Sequence, residues 1–88
     1  HRISPQEIEE VIAEIDGVAE VAVTGVPDEL LGQAIKAVIV CRPGVTLERV
    51  KVRAYCRDML ARHKVPGQVV FAEDLPRTSS GKVRRHLL

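Results

Sequence analysis

Val18-Ala19-Glu20-Val21-Ala22-Val23-Thr24-Gly25-Val26 is rich in β-branched residues and reads as a strand stopped by Pro27. Ala34-Ile35-Lys36-Ala37-Val38-Ile39-Val40-Cys41 is an almost continuous apolar run, so it reads as a second, more buried strand ended by Pro43-Gly44. Asp28 to Gly32 reads as a turn or short loop. Two strands joined so closely most simply pair antiparallel, and this pair is the nucleus to which the other elements must attach.

Upstream, Ile8, Val11, Ile12 and Ile15 follow the i, i+3, i+4, i+7 rule, which predicts a helix over residues 5–15 with one apolar face, closed by Asp16-Gly17. Its start carries Ser4 as N-cap, Pro5 at the first helical position and Glu7 placed for a capping box. Ile3 and Ile8 are spaced as a hydrophobic staple across that cap. Downstream, Thr46 is placed to cap a second helix from about Leu47 to Arg62, with Val52, Tyr55, Cys56, Met59 and Leu60 as its apolar stripe. The opposite side carries Arg49, Lys51, Arg53, Arg57 and Asp58. Pro66 marks the exit, and Val69-Val70-Phe71-Ala72 reads as a third, short strand. Two amphipathic helices and about three strands predict a small two-layer α+β domain, both helices packed on one face of the sheet.

Composition narrows the function classes. Eighty-eight residues make one domain with a modest core. The net charge of +1, with Tyr55 and Phe71 the only aromatic residues, argues against nucleic-acid binding, even for the basic cluster Lys82, Arg84 and Arg85. No run approaches the length of a membrane span and no signal peptide opens the chain. Cys41 and Cys56 have neither CxxC spacing nor clustered histidines, so no metal site is expected; the two thiols fit a cytoplasmic location. Gly25 and Gly32 bracket a loop without the Gly-Lys-Ser/Thr ending of a phosphate loop, and His63 and His86 receive no role.

The run Leu75-Pro76-Arg77-Thr78-Ser79-Ser80-Gly81-Lys82-Val83-Arg84-Arg85 presents one lysine on a small turn. Pro76 ends the apolar segment, Thr78, Ser79 and Ser80 favour turn conformations, and Gly81 permits positive φ or close approach to a ligand. Together with Arg2-Ile3-Ser4-Pro5-Gln6-Glu7-Ile8-Glu9-Glu10, Ala22-Val23-Thr24-Gly25-Val26-Pro27-Asp28-Glu29 and Lys64-Val65-Pro66, in this order, it makes the chain resemble the carboxy-terminal domain of acyl-CoA synthetases, within the adenylate-forming (AMP-binding) superfamily. The resemblance covers essentially the whole chain. It implies a short two-stranded segment near the amino end and a carboxy-terminal helix begun at Val83.

The resemblance also implies a chemistry. Members join a carboxylate to the α-phosphate of ATP, releasing pyrophosphate, and then pass the acyl group to the thiol of CoA with loss of AMP. Between the steps the small domain, a mobile lid, rotates on an amino-terminal domain that binds ATP and acid. Lys82 matches the adenylation lysine, with Gly81 beside it, and offsets charge on two mutually repelling anions. His1 and Arg2 match the segment near the CoA path, and Arg53 and Arg57 are candidate contacts for its phosphates. The implied co-substrates are ATP, with Mg2+, and CoA or a carrier-protein phosphopantetheine, none held tightly by this domain alone. The expected partner is the amino-terminal adenylation domain of the same polypeptide, which this sequence lacks, so the isolated domain is expected to be inactive. Relatives carry Pro-x-x-x-x-Gly-Lys, here Pro76 to Lys82, as a pattern for protein lysine acetyltransferases. The alternative reading is therefore a stand-alone regulatory or interaction module acetylated at Lys82.

Overall fold

The computed structural model describes residues 4–28 and 32–88. In chain order it contains helix α1 (Pro5–Ala13), strands β1 (Val18–Asp28) and β2 (Gly32–Cys41), helix α2 (Arg49–Met59), a 3-10 turn over Arg62–Lys64, strand β3 (Gln68–Phe71) and a second 3-10 turn over Arg85–Leu87. The sheet order is β1-β2-β3, with β1 and β2 antiparallel and β2 and β3 parallel. The parallel pair follows from the connection. A strand returning beside β2 in the same direction needs a crossover, and α2 supplies it. The small α+β domain read from the sequence is the fold, with a mixed sheet.

One rung shows how the layers form. Val23, Ala37 and Val69 are paired across the three strands and all are buried toward the helices. Ile8 and Ile12 of α1 and Val52 and Cys56 of α2 close over them, so both helices occupy one face. Alternation places Ala22 and Val38 on the opposite face, where Leu75, Ala72, Val83 and Leu88 pack against them. The chain after β3 thus forms a partial third layer. Burial pushes the Cys56 thiol pKa up, with Arg53 pulling weakly the other way.

Several element ends differ from the sequence reading, each for a visible reason. β1 continues through Pro27 to Asp28 because it is an edge strand. The Val23 N–H points away from β2, and Pro27, four residues on, therefore places its missing donor on the free side of the ladder. α2 is shorter than residues 47–62, and Glu48 rather than Thr46 is its N-cap. Leu47 and Leu60 lie just outside it and pack on the core; the backbone of Leu60 is extended. Met59 does not join the apolar stripe but is about half exposed (52%).

At α1 the capping box does not form. The Ser4 hydroxyl donates to Gln6 Oε1 at 3.3 Å, and Glu7 instead accepts from Lys64 Nζ at 2.7 Å. The long-range cation wins the carboxylate from the local amide. Ile3, the other half of the staple, lies outside the described residues. At the carboxy end, Val83 does not begin a helix but forms a bridge to Arg77, and only the 3-10 turn follows. The described residues contain no β segment ahead of α1.

Gly17 closes the turn after α1 at φ 95°, and its carbonyl accepts from the Arg42 N–H at 2.7 Å. A Cβ there would come within 2.5 Å of Val45 Cγ1. Gly17→Ala is expected to destabilise the fold by about 1–3 kcal/mol through left-handed backbone strain alone, readable by urea unfolding. An unchanged midpoint would contradict this backbone conformation.

Candidate functional site

The lysine turn is a tight hairpin. The Thr78 N–H donates to the Lys82 carbonyl at 2.7 Å, the Gly81 N–H to the Thr78 carbonyl at 2.9 Å, and the Arg84 N–H to the Pro76 carbonyl at 2.8 Å. Arg77 and Val83 form the antiparallel bridge at its base. The tip is thus a β-turn over Thr78–Gly81 closed by a glycine at φ 90°, an arrangement that matches three-residue hairpin loops ending in a bulge. Thr78 adds its hydroxyl, which accepts from the Lys82 N–H at 3.2 Å and lies 3.0 Å from that of Ser80.

A Cβ at Gly81 would meet no atom within 4 Å, so its requirement is conformational and not spatial. Gly81→Ala should cost about 1–2 kcal/mol of local stability. The expected reading is faster amide hydrogen exchange at Thr78, by about tenfold or more, while exchange in α1 is unchanged. Equal protection in both proteins would rule out the positive-φ tip.

The base of the hairpin is fastened on both limbs. Arg77 pairs with Glu20 on β1 and with Asp74, the latter at 3.3 Å. On the other limb, Arg85 spans both oxygens of Glu9 at 3.1 and 3.0 Å, and its Nε donates to the Val23 carbonyl at 3.2 Å. Glu9 Oε2 also accepts from the Val23 N–H at 2.8 Å. One ion pair therefore satisfies both outward-facing backbone groups of Val23 on the sheet's edge strand. Between these fastenings, Lys82 is exposed, and among the described residues nothing hydrogen-bonds or pairs with its ammonium.

The other candidates are elsewhere. Arg53 is half-buried on α2, where its Nε donates to the Pro66 carbonyl at 3.1 Å, and Arg49 does the same to Val69 at 3.1 Å. Both tie α2 to β3 and its approach. Arg57 is exposed, with no partner among the described residues. α2 and the hairpin pack on opposite faces of the sheet, so Arg53 and Arg57 are not brought together with Lys82. His1 and Arg2 lie outside the described residues. Sequence reading missed Glu9, Glu20, Arg77 and Arg85 as supports of the turn. Glu9 and Arg85 are 76 positions apart, and only a folded chain shows them adjacent.

Residues 7–82 match the family described as the AMP-binding enzyme C-terminal domain, a span that closes on the hairpin lysine. The chain belongs to this family. Among curated relatives it is 49% identical over 98% of its length to a 3-[(3aS,4S,7aS)-7a-methyl-1,5-dioxo-octahydro-1H-inden-4-yl]propanoyl:CoA ligase of Rhodococcus jostii. It is 42% identical, again over 98%, to the long-chain-fatty-acid–CoA ligase FadD13 of Mycobacterium tuberculosis. Among solved structures, ATP-bound MatB from Rhodopseudomonas palustris superposes with a TM-score of 0.95 at 37% identity over 99% of the chain. The chain spans only 17% of the length of each of these three proteins. As an AMP-binding enzyme C-terminal domain it contains no helix, among the described residues, long and apolar enough to cross a membrane.

Proposed function

We propose that this domain is the mobile lid of an AMP-forming acyl-CoA ligase and that it supplies Lys82 to the adenylation step. The supporting observation is the presentation of Lys82: an exposed ammonium, without a partner among the described residues, directly after the turn of a hairpin fastened at its base. In the proposed reaction the substrate carboxylate oxygen bonds to the α-phosphorus of ATP, the bond to the bridging oxygen breaks, and pyrophosphate leaves with its electron pair. Lys82 holds the two anions together and compensates charge as it shifts across phosphorus. One contact at about 4 Å and an effective dielectric near 20 is worth roughly 4 kcal/mol of gross Coulomb energy.

After pyrophosphate leaves, the lid turns on its larger partner domain and the acyl group passes to a thiol, releasing AMP. Arg53 and Arg57 on α2 are the candidate contacts for CoA phosphates, and His1 and Arg2 belong to the same step. Among the described residues no three His, Cys, Asp or Glu side chains converge on a metal site; Mg2+ would enter with ATP, which the partner domain binds. The relatives are named for acids as different as a bicyclic propanoate and long-chain fatty acids, and the family likeness therefore assigns the chemistry and not the acid. A solved relative with 33% identity and a TM-score of 0.92 is named an amide bond synthetase, which leaves the acceptor open to more than one nucleophile.

The test is to assay the half-reactions separately in the ligase that carries this domain and in its Lys82→Ala variant. Selective loss of ATP–pyrophosphate exchange supports the role; equal loss in both steps removes it. The exposure of Lys82 also favours a second reading, reversible acetylation at this residue. Acetylation would remove the positive charge and with it the adenylation step.

A further inference from the structure

We infer that Arg85, clamped by Glu9, is a positioning residue for Lys82; this rests on the adenylation role proposed above. Among the described residues nothing hydrogen-bonds or pairs with the Lys82 ammonium, so its place is set by the two limbs of the hairpin. On the limb that follows it, only Val83 and Arg84 separate Lys82 from Arg85. There the guanidinium makes three contacts at once, to both Glu9 oxygens and to the Val23 carbonyl. Glu9 in turn holds the Val23 N–H. Beside the Arg77–Glu20 pair on the other limb and the packing of Val83, this one planar group references the chain that carries Lys82 to both α1 and the edge of β1.

This geometry is specific to arginine. The fork supplies Nε and a terminal nitrogen in fixed relation, so it can hold a strand carbonyl and a carboxylate together; a lysine ammonium can hold either only as a point charge. Glu9 is the less exposed partner, 18% against 41% for Arg85, so the carboxylate is the fixed half of the latch and the arginine is drawn to it. The pair is partly screened, and its thermodynamic contribution is that of a half-exposed ion pair. Its kinetic contribution is larger, because a displacement of about 1 Å in a reacting group can cost about 100-fold in rate.

The experiment uses the intact ligase with Arg85→Ala, Arg85→Lys and Glu9→Gln, each made alone and in a Lys82→Ala background. ATP–pyrophosphate exchange and thioester formation from preformed acyl-adenylate are measured for every variant, with the thermal midpoint as a control for folding. For Arg85→Ala, exchange is expected to fall by about 10- to 100-fold, with thioester formation within about threefold of the parent. Arg85→Lys, which keeps the charge but not the fork, should recover only part of the loss. In the Lys82→Ala background, Arg85→Ala should cause little further loss, since the residue it positions is already gone. Equal decline of the two steps, or a full additional loss without Lys82, would make Arg85 a purely structural residue and overturn the inference. If Lys82→Ala itself leaves exchange intact, the adenylation role falls first and the positioning role falls with it.

Discussion

Replacing Lys82 with alanine is expected to lower ATP–pyrophosphate exchange by about 100- to 1,000-fold, the usual effect of removing one preorganised charge from a closed site. The size follows from where the side chain stands. Among the described residues its ammonium has no hydrogen-bond or ion-pair partner, so its loss should leave the thermal midpoint nearly unchanged. Stability and catalysis are thereby separated at this position. Lys82→Arg should rescue poorly although the charge is kept, because a broad planar fork does not substitute for a compact ammonium between a carboxylate and a phosphate. Full activity in the arginine variant would show that only net charge matters at the hairpin tip.

Ile12→Ala is expected to act in the opposite way, on stability first. Ile12 is fully buried between α1 and the sheet, in the cluster that joins Val23, Ala37 and Val69 to both helices. Truncating it removes the buried branches and leaves a cavity, at a cost of about 2–5 kcal/mol. Against a total stability of about 5–15 kcal/mol, that is a large fraction of what holds the domain together. Each kcal/mol should lower the thermal midpoint by about 4–8 °C in a domain of this size. In the intact ligase both half-reactions should decline together as the lid unfolds. A shift below about 1 kcal/mol would contradict the buried position of α1.

Periodicity carried most of the fold. The alternation and β-branching of residues 18–26, the apolar run 34–41 and the helical spacing of Ile8 and Ile12 each depend on neighbours a few positions away, and each appears as read. The discrepancies arise where a distant residue competes with a local preference. Glu7 leaves its capping position for Lys64, and Leu47 and Leu60 stand in the core just outside α2 instead of extending it. The lysine turn was legible for the same local reason, since Thr78, Ser79, Ser80 and Gly81 have the turn chemistry that the hairpin uses. Its supports were not. Glu9 looks like one more solvent-facing acid of an amphipathic helix, and Arg85 like part of a basic cluster, until β1 places an unpaired peptide group between them. Arg53, a candidate contact for CoA phosphates from the sequence, uses part of its guanidinium on the Pro66 carbonyl.

The most direct measurement is the rate of thioester formation from preformed acyl-adenylate by the Lys82→Ala ligase, set beside its rate of ATP–pyrophosphate exchange in the same preparation. Thioester formation within about threefold of the parent, alongside the collapse of exchange, is the expected result if Lys82 acts only while phosphorus is under attack. A thioester rate that falls as far as exchange would contradict that claim and make the hairpin a structural element common to both steps.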